Sequence, residues 1–314
     1  MTSNSFCARL GCGAAALALS AFSVGAARAE PGPPPPRPAP RLEGAVAPQT
    51  PGVPIIDGHA HIRLGDGDAI VPTQPIGTQA LRAIDERAGV TRSALIVIAG
   101  GGPEATQRKN DGVIAAAAAD PGHFFPIASV HPADGDAALS ELNRVAARGV
   151  RIIKLHPSSQ EFDVADPAVA RITAHCGKLG MTVLFDSYDP FDPGQIGKFV
   201  KLTMSQPGTR FILAHLGFTR FRELGAFALL RKLGAPANVW FDVSAVAVFY
   251  ADNPAREELA ATMRSIGMDR MIFGSDWPVD DPQVTLRAVR SLGLTAGEER
   301  LLLHDNMAKL IGTD

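Results

Sequence analysis

Ile55-Ile56-Asp57-Gly58-His59-Ala60-His61-Ile62 is a short apolar run that ends in two histidines spaced i, i+2. In a β-strand, residues two apart point to the same face. Two imidazoles on one face, at the end of a buried strand, can grip one metal ion. Working outward from this stretch, strand-sized apolar runs recur, starting near residues 54, 93, 124, 150, 181, 210, 238 and 270. The intervals of 26 to 39 residues each fit a strand plus a returning helix.

The expected strands are Pro54–Asp57, Ser93–Ala99, Phe124–Val130, Val150–Leu155, Met181–Phe185, Arg210–Ala214, Val239–Val243 and Arg270–Gly274. They are continuous apolar runs rather than alternating ones, as a parallel sheet covered on both faces requires. Helical patterns lie between them, and Ala296–Ile311 is expected as a closing helix. Gly149, Gly180, Gly234, Gly267 and Gly293 fall just past helix ends, where a left-handed cap suits glycine. Eight such units over residues 54–314 fit an α/β (β/α)8 TIM barrel, typically about 250 residues long. A doubly wound open sheet is the alternative, but no G-x-G-x-x-G follows any strand. Gly100-Gly101-Gly102 reads as a loop.

The flanking sequence differs. Residues 1–29 carry an early arginine, a small-residue apolar stretch and Ala27-Arg28-Ala29, the pattern of a secretory signal peptide. Residues 30–53 are proline-rich, with Pro33 to Pro36 in a row, and read as an extended linker. The catalytic domain is expected over 54–314. An exported chain, periplasmic or secreted, follows, with no stable membrane insertion after cleavage. Of three cysteines only Cys176 lies past residue 29, so no intramolecular disulfide is expected there, and it reads as a buried structural thiol. A net charge of −2 carries no nucleic-acid footprint. The composition is compatible with a homo-oligomer without defining one.

In a TIM barrel the active site forms at the C-terminal ends of the strands. Those ends carry His59 and His61 on strand 1, His131 on strand 3, and Lys154 and His156 on strand 4. They continue with Asp186 on strand 5, His215 on strand 6, Asp242 and Ser244 on strand 7, and Asp276 on strand 8. Neutral imidazoles suit Zn²⁺ and other divalent transition metals, and a carboxylate beside them can ligate metal and take a proton from bound water. Asp276 fits that role, since the last strand adjoins the first. His215 reads as a ligand or general base. Lys154 and Asp186 sit on neighbouring strands and leave three readings open: they pair with each other, Asp186 ligates metal, or a carboxylated Lys154 bridges two metals. His131 and His156 line the pocket or cap loops. Tyr188, Arg220 and Arg222 are candidate substrate contacts or surface residues, and Tyr250 marks an apolar pocket wall or a packed loop.

These pieces together resemble the amidohydrolase superfamily, in its amidohydrolase-related branch (amidohydrolase family 2), which includes decarboxylases and a lactonase. The resemblance rests on Ile56-Asp57-Gly58-His59-Ala60-His61, on Gly149 to Pro157 around Lys154 and His156, and on Phe211 to Gly217 around His215. It also rests on Phe273-Gly274-Ser275-Asp276-Trp277-Pro278 and the closing Asp305 to Leu310. It implies a divalent metal, often zinc, held by His59, His61 and Asp276, with His215 as ligand or base. The family usually places a histidine at the end of strand 5. Asp186 stands there instead, and its negative charge would favour a harder cation such as Mn²⁺.

The expected activity is metal-assisted hydrolysis of a small ester, lactone or amide, with Asp276 and His215 as catalytic residues. The metal set is His59, His61, Asp186, His215 and Asp276. Lys154 and His156 contact the substrate or support the site. Two other readings stand beside it: non-oxidative decarboxylation of an aromatic or unsaturated carboxylic acid, and a non-catalytic exported binding protein on the same barrel.

Overall fold

Eight parallel strands run β1 (Ile55–Asp57), β2 (Val90–Ile96), β3 (Phe124–Ser129), β4 (Ile152–Leu155), β5 (Thr182–Phe185), β6 (Arg210–Leu213), β7 (Val239–Asp242) and β8 (Met271–Ile272). The computed structural model describes residues 52–63 and 77–313. Residues 1–51, which hold the expected signal peptide and almost all of the expected linker, lie outside the described residues. Each strand pairs with the next in chain order. Backbone hydrogen bonds join the last strand to the first: Gly58 N–H donates to Phe273 O at 2.9 Å, Asp276 N–H to His59 O at 2.7 Å, and His61 N–H to Trp277 O at 2.8 Å. The sheet is therefore a closed (β/α)8 barrel. Closure is tight enough that a Cβ on Gly274 would stand 2.7 Å from the Cβ of His59, so only glycine fits there.

Side chains alternate across this sheet. Ile56, Ala94, Ile96, Ile127, Ile152, Leu184, Ile212 and Ile272 form an inner cluster. The other face packs against the helices in a larger cluster that includes Leu95, Leu142, Phe185, Phe199 and Phe241. Fully burying each such side chain stabilises the fold by roughly 1.5–3 kcal/mol. The helices are α1 (Thr78–Ala88), α2 (Pro103–Ala118), α3 (Asp136–Ala147), α4 (Pro167–Lys178), α5 (Gln195–Ser205), α6 (Gly225–Lys232), α7 (Val246–Tyr250), α8 (Arg256–Ile266), α9 (Pro282–Arg290), α10 (Ala296–Arg300) and α11 (Asn306–Ile311). None among the described residues is long and apolar enough to cross a membrane. Cys176 is buried in the outer cluster, and burial pushes its thiol pKa up, as a structural thiol requires.

Three elements differ from expectation. Strand β2 begins at Val90, ahead of the apolar run, because its polar start (Thr91, Arg92) lies at the partly solvated end of the barrel. The closing helix is not continuous. It starts with a Thr295–Glu298 capping box, opens into a wide turn at Leu301–Asp305, and resumes as α11. The Phe273 N–H takes the Leu302 carbonyl at 2.9 Å, drawing it towards β8. Finally, Val246–Tyr250 is a short helix, with Tyr250 buried edge-on against Phe221 at 5.2 Å. Tyr250 is thus part of a packed segment.

Candidate metal centre

The top of β1 is fixed by Asp57, which is fully buried. Its Oδ1 accepts from the His59 N–H and the Ser275 N–H, both at 3.0 Å, so one carboxyl oxygen ties the histidine strand to the loop that carries Asp276. Burial, with the nearby charge of Asp85, pushes the Asp57 carboxyl up to about 8.

Three side chains converge above this tie. His59 Nε2 lies 3.2 Å from His61 Nε2 and 3.3 Å from Asp276 Oδ1, and His61 Nε2 lies 3.5 Å from the same oxygen. These atoms form one of two groups among the described residues whose spacing could hold a metal ion; the other is His59, His215 and Asp242. Asp276 reaches the centre from a backbone with φ 60°, a left-handed conformation that Asp tolerates better than most residues. Its carboxyl would rise with burial, but the His59, His215 and His61 rings hold it below the usual carboxylate range. Burial pushes His61 down to about 3, helped by His59 and Lys154, so its imidazole is neutral, as a metal ligand must be.

His59 is oriented from behind. Its Nδ1 meets Asp242 Oδ2 at 3.0 Å, which fixes the tautomer and turns Nε2 towards the centre. Asp242 is buried and its carboxyl would rise, yet His59, His215 and Ser244 hold it at about 2. Its other oxygen accepts from the backbone N–H of His215 and of Ser244, both at 3.1 Å, and from the Ser244 hydroxyl. One aspartate thus organises the tops of β1, β6 and β7. Asp242 joins this cluster and one of the two metal-capable groups, although sequence reasoning gave it no role. The available signal was its place at the end of strand 7, level with the other polar strand tops.

The far side of the mouth is built differently. His215 stacks on His59 at 5.2 Å between ring centroids. Its Nε2 meets Asp186 Oδ2 at 3.0 Å and its Nδ1 meets Ser244 Oγ at 2.9 Å. Burial would lower its pKa, but Asp276, Asp186 and Asp242 raise it to about 9. Asp186 also faces His156 Nε2 at 3.5 Å, and burial is outweighed by His156, His215 and Lys154, which pull its carboxyl well below the ordinary range. His156 is itself pushed down to about 4, by burial first. Residues His215, Leu216 and Phe218 on this loop, and Ala245 after β7, all have positive φ, a concentration of strained backbone around the site.

Lys154 is fully buried, and its Nζ sits 3.0 Å from His59 Nε2. It therefore joins the His59 corner, while Asp186 turns to the two histidines. Asp186 lies in neither metal-capable group. His131 caps a single turn, its Nδ1 accepting from the Ala133 N–H. Arg222 ion-pairs with Glu258 at the surface and Arg220 holds the carbonyl of Asp192, so neither is placed at the metal centre. Tyr188 packs on Phe218, which packs on Phe249, each at 4.9 Å, in an aromatic row on the loops after β5, β6 and β7.

The chain belongs to the amidohydrolase family, whose model matches residues 56–313. No curated protein matches the sequence. Among solved structures, the chain is similar to a candidate 2-pyrone-4,6-dicarboxylic acid hydrolase from Pseudomonas putida, at 21% identity and a TM-score of 0.64, covering 83% of this chain and 98% of that one. It is also similar to 2,6-dihydroxybenzoate decarboxylase from Rhizobium, at 16% identity and a TM-score of 0.64, covering 82% and 98%. A third similar structure is 5-carboxyvanillate decarboxylase from Novosphingobium aromaticivorans complexed with manganese and 4-hydroxy-3-methoxy-5-nitrobenzoic acid, at 16% identity and a TM-score of 0.64, covering 86% and 99%. At these identities the structures speak for the shared barrel. Family membership and the buried, neutral His61 beside an ionised Asp276 fit a divalent metal ion at this corner.

Proposed function

We propose that this protein is a metal-dependent hydrolase acting on a C–O or C–N bond of a small ester, lactone or amide. The observation that carries the reading is the convergence of His59 Nε2, His61 Nε2 and Asp276 Oδ1, with Asp242 bracing His59 from behind. These three residues would hold the ion, and the two-imidazole, one-carboxylate set suits zinc, with manganese as the alternative. When bound, such an ion supplies Lewis acidity and a water whose pKa is lowered towards 7. Asp276 is ionised and takes the proton of the attacking water. His215, held between Asp186 and Ser244, delivers a proton to the leaving group. Lys154 and His156 flank the centre and orient the carbonyl side of the substrate.

A second reading draws on the named decarboxylases among the similar structures and on the basic side chains crowded at the centre. There Lys154 and His156 hold a substrate carboxylate and His215 delivers a proton to carbon as carbon dioxide leaves.

The test uses purified protein stripped by chelation and reloaded with Zn²⁺ or Mn²⁺, assayed on lactones, esters, amides and aromatic carboxylic acids. Metal-restored hydrolysis is expected. Carbon dioxide release without hydrolysis would replace the first reading by the second. Turnover that survives chelation, with no metal bound, would remove both.

A further inference from the structure

The opposite end of the barrel holds a cleft that this chemistry does not use. It has a volume of about 300 Å3 and lies where β2, β3 and β4 begin, between α2 and α11. Three arginines, Arg92, Arg148 and Arg151, line it together with Ile114, Phe125 and Ile311. The arginines are not equivalent. Arg148 pairs with Asp111, like its neighbour Arg144. Arg92 and Arg151 have no ion pair and no hydrogen bond among the described residues.

Arg92 is the unusual one. Ala94 and Ile96, two and four residues on, belong to the inner cluster, so its position on β2 faces inward at the barrel floor. It is half-buried, with its guanidinium 5.7 Å over the Phe125 ring. Its Nε is buried without an acceptor. Partial burial lowers its pKa, and beyond the Phe125 ring no group among the described residues offsets its charge. A guanidinium is a rigid fork of donors that matches a carboxylate. Arg151 adds a second unpaired guanidinium to the same cleft, packed beside Gly312.

We infer that this cleft is a second binding site, which takes a small amphipathic carboxylate. Its acid end meets the Arg92 fork and its hydrocarbon part lies on Phe125, Ile114 and Ile311. The cleft is at the lower limit of the size of small-molecule pockets and combines an apolar lining with few polar groups, as such pockets do.

Calorimetry with hexanoate as the probe tests this on the full chain. Saturable binding is expected, equal in metal-loaded and chelated protein, because the site lies away from the metal corner. Arg92→Met keeps an apolar stem and should weaken binding at least tenfold; Arg151→Gln should weaken it several-fold. Hexan-1-ol, which lacks the acid, should not bind, a comparison that stands even if a variant folds poorly. The assignment is overturned if hexanoate gives no saturable binding, if a folded Arg92→Met binds unchanged, or if inorganic phosphate binds as tightly as hexanoate.

Discussion

His61 and His215 both stand at strand tops, both are buried, and both face the same barrel mouth, yet their surroundings drive them to opposite charge states. His61 is desolvated beside another imidazole and Lys154, which holds it neutral at about 3. His215 is equally desolvated but is surrounded by Asp276, Asp186 and Asp242, which raise it to about 9. Burial acts the same way in both places; Asp276 alone does not overcome it at His61, whereas Asp276, Asp186 and Asp242 together do at His215. On the proposed function, the β8–β1 corner ligates the cation and the β5–β6 side holds and transfers the proton, although His215 also belongs to a second metal-capable group with His59 and Asp242. A histidine at a strand top is not by itself a ligand.

This contrast can be broken by mutation, beginning with the largest effect. Asp276→Asn removes both a ligand and the proton acceptor, and should cut turnover by about 10²–10⁴-fold, measured as kcat on the best substrate. A residual activity within tenfold of the parent would place the base elsewhere. Asp242→Asn leaves the three donors in place but unties His59 Nδ1, and should weaken metal affinity by about 10–100-fold, measured by competition with a chelating dye. Unchanged affinity would reduce Asp242 to a structural role.

Asp57 offers a finer cut on the same corner. Asp57→Asn keeps an oxygen to accept from the His59 and Ser275 N–H groups, while Asp57→Ala does not. The alanine variant should lose metal affinity and the asparagine variant should retain most of it. If both lose it equally, the hydrogen-bond tie is not what positions the ligands.

The opposite side has a pH signature in the metal-free protein. A histidine raised from 6.5 to about 9 stabilises the fold fully below pH 6.5 and loses that contribution as pH rises through 9. The thermal midpoint of chelated protein should fall over that window, and Asp186→Asn should flatten the fall. The smallest effect is expected outside the site. Arg222→Ala breaks a solvent-screened pair with Glu258, so it should leave the thermal midpoint nearly unmoved and turnover within twofold.

Much of this was legible in the sequence. The period of apolar runs gives the barrel, the i, i+2 spacing pairs His59 with His61, and barrel closure sets Asp276, on the loop after β8, beside them. Other features were hidden for physical reasons. Asp242 acts through a contact with a residue 183 positions away, which no local pattern encodes. The left-handed backbone at His215, Leu216 and Phe218 is imposed by tertiary packing on residues that do not favour it. The start of β2 was masked by Thr91 and Arg92, whose polarity reflects the barrel floor rather than a loop. Lys154 and Asp186 could each have had several partners, and only their distances to His59 and to His215 choose between them.

The division of labour between the two sides rests on which atoms touch the ion. Anomalous diffraction from crystals of the Mn²⁺- or Zn²⁺-loaded protein measures this directly. The expected result is one ion bound by His59 Nε2, His61 Nε2 and Asp276, with Asp186 still paired to His215. An ion ligated by Asp186, or a loaded crystal with no ion at the His59–His61 corner, would contradict it.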